Sequence, residues 1–139
     1  MFQELLTIIT SLEKKGKMSF NLCAMKEDIS RFEKKNRIIF PSQFREWLNY
    51  SDGGECYLPA GVQFYGVAHK PLIKVNDKSI PNGYIIIGAL PNGDPILLKK
   101  GADTVSIYNQ EAGRIENDEI YKDFFSFLND LHNILGIGV

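Results

Sequence analysis

The stretch "YIIIGALPNGDPILLKK", Tyr84–Lys100, decides the fold. Two aliphatic runs, Tyr84–Ile87 and Ile96–Leu98, flank a linker rich in turn formers. Asn92–Gly93 is a dipeptide that tight hairpins favour, because both turn residues tolerate positive φ. Pro91 and Pro95 suit strand ends, where a missing N–H does no harm. Asp94 is expected to accept hydrogen bonds from nearby backbone N–H groups rather than to hold a phosphate or a metal. Each run is apolar at consecutive positions, so both faces of each strand should be covered. The hairpin therefore belongs at the centre of a sheet.

Outward from this hairpin the pattern stays β-like. "VQFYGV" (62–67), "TVSIYN" (104–109) and "GRIEN" (113–117) read as further strands, with Val105 and Ile107 alternating against Thr104, Ser106 and Tyr108. Residues 68–83 are diluted by turn formers and give the least regular segment. The first 50 residues read differently. Phe2, Leu5, Leu6, Ile9 and Leu12 recur at helical spacing. Met25, Ile29 and Phe32 do so more weakly, with Glu27–Arg31 and Glu33–Arg37 as i,i+4 pairs on the exposed face. Phe44, Trp47 and Leu48 form a third stripe, with Ser42 as its cap and Gly53 as a left-handed terminator. At the other end, Asn117 or Asp118 is expected to cap a long helix whose stripe runs Tyr121, Phe124, Phe125, Leu128, Leu131, Leu135 and which stops at Gly136. The expected class is α+β: N-terminal helices, a central, mostly antiparallel sheet of about five or six strands, and a C-terminal helix packed on it. Length and composition suit one domain, residues 1–139.

Charge is near balance, with a net value of −1, so no global field recruits nucleic acid or an anionic membrane. Its distribution is uneven. Residues 1–50 hold nine Lys/Arg against six Asp/Glu, with a dense run at Arg31, Lys34, Lys35 and Arg37. From Glu111 onward, Glu116, Asp118, Glu119, Asp123 and Asp130 face only Arg114 and Lys122. These are either two solvated faces or, for the second, an acidic patch awaiting a basic partner. No apolar run reaches the roughly 20 residues that span a bilayer. The N-terminus lacks the features of a signal peptide, and the chain reads as cytoplasmic.

Chemistry finds little purchase. Cys23 and Cys56 have no CxxC spacing and no accompanying histidine pairs, so neither zinc nor a disulfide scaffold is expected. No phosphate-binding glycine loop or calcium loop is present, and no cofactor or metal is expected. His132 reads as a helix-flank residue. His69 lies in a loop with no carboxylate at a telling distance, and a Cys56–His69 thiol pair has no local signature. "SDGG" (51–54) reads as a helix end turning into a strand. The elimination leaves a surface presented to another protein.

The ordered string "RFEKKNRIIFPSQFREWLNYSDGGECYLPAG", "FYGV", "YIIIGALPNGDPILL" and "VSIYNQEAGRIENDEIYKDFFSFL" resembles the SUKH superfamily, in particular the bacterial branch related to yeast Smi/Knr-type cell-wall regulators. The resemblance covers residues 25–135. It implies an α+β fold, no catalysis, and for bacterial members an immunity protein that binds and neutralises a cognate toxin, often a nuclease or deaminase. Relatives in eukaryotes imply the alternative of a regulatory module for an endogenous partner. The hallmark positions fall on Trp47, Gly53, Gly54, Gly93 and Asp94 and look like fold determinants. Toxin contacts vary between members and are not placed by the resemblance. Electrostatics nominates the segment Glu111, Glu116, Asp118, Glu119 and Asp123, with Tyr108 and Tyr121 as aromatic anchors. A monomer or a weak homodimer is expected.

Overall fold

The computed structural model describes residues 2–57 and 61–135. The expected stop of the last helix at Gly136 lies outside the described residues. Twelve elements follow one another: α1 (Phe2–Glu13), β1 (Met18–Phe20), α2 (Lys26–Asn36), α3 (Ser42–Tyr50), β2 (Gly54–Cys56), β3 (Val62–Phe64), β4 (Tyr84–Ala89), β5 (Pro95–Lys99), β6 (Val105–Asn109), β7 (Arg114–Tyr121), α4 (Phe124–Asn129) and α5 (Leu131–Ile134). All seven strands form one antiparallel meander in chain order. The class is α+β, with seven strands rather than five or six. The two extra strands, β1 and β2, have three residues each, too few to show an alternation.

The central hairpin behaves as its sequence demands. In β4 the four residues Ile85–Gly88 are all buried, as are Pro95–Leu98 of β5. The turn itself is one residue longer than the two-residue kind. Leu90 N donates to Asp94 O (2.9 Å) and Gly93 N to Leu90 O (2.9 Å), enclosing Pro91, Asn92 and Gly93. Only Gly93 takes positive φ, +93°, so the loop is the three-residue kind with its glycine in the left-handed position, and Asn92 needs no such freedom.

One face of the sheet carries the main core. Val62, Phe64, Ile85, Ile87, Ile96, Leu98, Val105 and Ile107 meet Leu5, Ile9, Leu12, Phe44, Trp47, Leu48, Phe124, Phe127 and Leu131 from the helices. Leu6, placed in the α1 stripe by spacing, is 39% exposed, and Ile8 takes its place. Met25 is 60% exposed and precedes α2 as its cap, whereas Ile29 is buried. The expected i,i+4 ion pairs of α2 give way to other partners. Arg31 pairs with Asp28 (3.3 Å) and Glu33 with Arg45 of α3 (2.8 Å), because Arg37 has turned left-handed at the helix end, φ 56°. In α3 the capping position falls on Pro41, not Ser42. The helix ends at Ser51, two residues before Gly53.

The long C-terminal helix is the largest correction. The strand expected over 113–117 runs on through Tyr121 as β7, pairing with β6, so residues 118–121 are strand rather than helix. Asp123 then caps α4, its Oδ1 accepting from Ser126 N at 2.8 Å, and Asp130 breaks α4 from α5. Tyr121 sits three residues before Phe124 and so mimics one more turn of the helical stripe. In the fold its register partner is Val105 and its side chain faces the helices as part of the sheet.

Candidate protein-binding surface

β7 is one of the two edge strands of the meander, opposite β1, and it is irregular. Ile120 pairs with Ser106 and Ile115 with Tyr108, so four residues, Glu116–Glu119, lie opposite the single residue Ile107. The bulge pushes a run of three acids and an asparagine out of the ladder, which blunts the edge against strand addition. Because directly paired residues share a face, the row Ile86, Leu97, Ser106, Ile120 and the pair Tyr108, Ile115 lie on the side of the sheet away from the main core. Ile86 and Leu97 are buried there with Ile80, against Tyr65, Tyr84, Tyr108 and Ile115. Ile120, at the end of the row, is 49% exposed.

Asp94 joins this edge from the central hairpin. Its Oδ1 accepts from Gln110 N (3.2 Å), which pins the 90–94 loop to the loop between β6 and β7. Asn92 braces it, with Asp94 N donating to Asn92 Oδ1 at 2.9 Å. Burial first, then the charges of Asp118, Asp94 and Glu116, hold the Glu119 carboxyl above its ordinary value of 4.5. Asp94, Glu116 and Asp118 therefore act on Glu119 along one edge, and Glu119 is followed in the chain by the exposed Ile120. A raised acid pKa in the fold means that ionisation favours the unfolded chain, so stability falls as pH rises through that value. Glu119→Gln should raise stability by about 0.5 kcal/mol at pH 7 and by nothing below pH 4.5, the ordinary value, measured by urea unfolding at both pH values. An equal effect at both would show that the gain is not electrostatic.

The other acids and tyrosines proposed from sequence are placed differently. Glu111 is exposed at the β6–β7 loop. Glu116, already counted on the edge, also lies 3.4 Å from Arg114. Asp123 is occupied as the α4 cap. Tyr121 donates its hydroxyl to Asp130 Oδ2 (2.9 Å) and packs on Phe127 with ring centroids 5.3 Å apart. Burial and the Asp130 hydrogen bond push its hydroxyl well above the usual tyrosine range. Tyr121 thus faces the helices, whereas Tyr108 belongs to the face that carries Ile120.

Of the hallmark residues, Gly93 and Asp94 belong to the hairpin at this edge, whereas Trp47, Gly53 and Gly54 lie elsewhere. Trp47 is 1% exposed, with its ring centroid 5.2 Å from Phe64, 5.9 Å from Phe124 and 5.9 Å from Phe20. Gly54 has φ +143°, and a Cβ there would lie 2.5 Å from Ser19 O; at Gly53, φ +91°, one would lie 2.8 Å from Phe64 O. The pair lets three backbones of the β1–β2–β3 corner approach without side chains.

Sequence reasoning missed the constellation beside that corner. Asp52 is wholly buried, and its carboxylate gathers four donors. Oδ1 accepts from Val67 N (2.7 Å), and Oδ2 from Ala68 N (2.9 Å) and His69 N (2.8 Å). The His69 ring completes the set, its Nδ1 lying 2.8 Å from Oδ2. A loop that looked unanchored is clamped to the end of α3, and His69 does have a carboxylate partner, 17 residues back. The available signal was an acid directly after a buried helical stripe and before two glycines, a place where an exposed charge gains nothing. Cys56 does not join His69: it is 1% exposed, and burial pushes its thiol up to about 12, so it is a neutral thiol at physiological pH. Cys23 is exposed. Among the described residues no group of three or more His, Cys, Asp or Glu could hold a metal ion, and no helix is long and apolar enough to cross a membrane.

A meander covered by helices on one face, a glycine corner closed over a buried acid, and an acid-bearing edge strand make up an α+β module without a metal cluster among the described residues. The sequence pattern described as SMI1 / KNR4 family (SUKH-1) matches residues 23–130, and the chain belongs to that family. The matched span includes Trp47, Gly53, Gly54, Gly93, Asp94 and all of β7. No curated protein matches the chain.

Proposed function

We propose that this chain is an immunity protein of the SUKH family: a non-catalytic cytoplasmic protein that neutralises a cognate bacterial toxin by binding it. The observation that carries the reading is the gathering of Asp94, Glu116 and Asp118 near Glu119 on the β7 edge of the sheet, which also exposes Ile120. Like charges held together against their own repulsion cost stability, and a binding surface is where such a cost is retained. A toxin that acts on nucleic acid has a basic cleft, which four fixed carboxylates would attract from a distance. Ile120 and Tyr108 supply the apolar centre that such an interface needs, with the acids as its rim.

The test uses the product of the adjacent gene as the partner. In stopped-flow binding, Glu116→Lys, Asp118→Lys and Glu119→Lys together should slow association about 10- to 100-fold at low salt and flatten its salt dependence. The same variant should fail to rescue growth of cells that express the toxin. Unchanged kinetics would eliminate the β7 edge as the contact. A partner that is not toxic would move the protein to the regulatory class.

A further inference from the structure

A groove of about 510 Å³ runs between α2 and residues 67–76, on a part of the molecule that the β7 edge does not share. We propose that this groove is a second docking site, and that its occupant is an acidic segment of a protein partner which seats an apolar side chain between its carboxylates.

The lip on α2 follows from helical spacing. Arg31 and Lys35 are four residues apart and stand one above the other, with Phe32 beside them facing the groove. Asp28, one turn earlier, leaves the lip positive. Its Oδ2 already accepts from Met25 N at 3.2 Å and its Oδ1 from Arg31 at 3.3 Å. Among the described residues no carboxylate lies within ion-pair distance of Lys35. The Arg31 side chain is 73% exposed, so it keeps donors for a second partner.

The opposite wall is apolar and fixed. Val67 and Leu72 line it, and Leu72 is 39% exposed. Its backbone cannot drift, because Val67 and Ala68 donate to buried Asp52, Gly66 N to Pro71 O (2.9 Å) and Ile73 N to Gly66 O (3.0 Å). Lys74 exchanges two bonds with Ile86 at 3.1 and 2.8 Å, which ties the same segment to β4. A wall ordered before binding loses little entropy when a partner arrives. The volume lies within the range of roughly 300–1,000 Å³ typical of binding sites. Two cations above an apolar wall select carboxylates around an apolar residue, the reverse of the chemistry that β7 attracts.

The probe is a short fluorescent peptide in which glutamates alternate with leucines, with a lysine-for-glutamate version as control, titrated against the full chain by anisotropy. The acidic peptide should bind and the basic one should not. Arg31→Glu with Lys35→Glu should weaken binding about tenfold or more, whereas the Glu116→Lys, Asp118→Lys variant should bind as the parent does. Arg31, Lys35 and Asp118 are exposed and Glu116 is half-buried, and circular dichroism establishes that the variants fold. Amide shifts in the bound state should map to Phe32, Val67 and Leu72. Equal affinity for the lysine peptide, undiminished binding by the α2 variant, or absence of binding each overturns the proposal. So does complete displacement by inorganic phosphate, which would make the groove a small-anion site.

Discussion

Asp52→Ala should lower stability by about 3 to 5 kcal/mol, seen as a fall of roughly 2 M in the urea midpoint. The reason is an imbalance created by a small change. The carboxylate is wholly buried and receives three backbone N–H groups, of Val67, Ala68 and His69, together with the His69 ring. Truncation leaves those donors facing a void, and each buried unsatisfied group costs about 1–3 kcal/mol. Asp52→Asn should recover only part of this. One amide oxygen can still accept from Val67, but the amide nitrogen then points its own hydrogens at the donors of Ala68 and His69, so a loss of about 2 kcal/mol should remain. His69→Ala should cost about 1 kcal/mol, because the ring is 41% exposed and the carboxylate keeps its backbone donors. Hydrogen exchange gives an independent reading: the amides of residues 67–69 should lose protection in Asp52→Ala well before the β4–β5 amides do. A loss below about 1 kcal/mol would mean that water replaces the carboxylate freely, and that the wall of the α2 groove owes its order to other contacts.

That clamp also marks the boundary of what the sequence could convey. Patterns that repeat over neighbouring residues were readable: the doubly buried Ile85–Ile87 and Ile96–Leu98 runs, the glycine of the hairpin, and the Phe44, Trp47, Leu48 stripe all lie where their spacing puts them. Two kinds of feature were not. One is a partnership across sequence, such as Asp52 with residues 15 to 17 positions on, where neither side shows any local trace of the other. The other is a segment whose local signals favour the wrong element. Acids ahead of an aromatic stripe look like the first turn of a helix, yet Glu116–Glu119 bulge from a strand, because pairing with β6 and the covering of Ile115 by Tyr108 outweigh helical propensity. The site suffered the same way. The acids proposed from charge alone divide into Glu116, Asp118 and Glu119 on the β7 edge, Glu111 in the β6–β7 loop, and Asp123, which caps a helix. Asp94, taken as a turn residue, proves to share the edge with Glu119. Membership of the acidic cluster depended on the β7 register and on the Gln110–Asp94 bond, and neither is written in a local pattern.

Trp47→Ala should cost about 3 to 5 kcal/mol, the second large effect, and the comparison with Trp47→Phe should explain why. The indole is the meeting point of β1, β3, α3 and α4: it touches Phe20, Phe64 and Phe124 within 5.9 Å between centroids, all in tilted or edge-on geometry. Truncation removes those contacts and opens a cavity between the helices and the sheet that rigid β3 cannot close. Yet the ring is not optimal as it stands. Its Nε1 is buried and finds no hydrogen-bond acceptor among the described residues. Phenylalanine keeps most of the ring contacts and removes that unsatisfied donor, so two effects of opposite sign partly cancel. Trp47→Phe should therefore cost about 1 kcal/mol, far less than the difference in ring volume suggests. Trp47 is the only tryptophan, so both variants lose the fluorescence signal and far-UV circular dichroism must follow their unfolding in urea. The β7 edge should keep its partner affinity in Trp47→Phe, since Trp47 reaches no residue of that edge, while Trp47→Ala should lose binding only in proportion to unfolded protein. Equal costs for the two variants would mean that Nε1 has an acceptor after all, and that the tryptophan is held at this position by a hydrogen bond rather than by its shape.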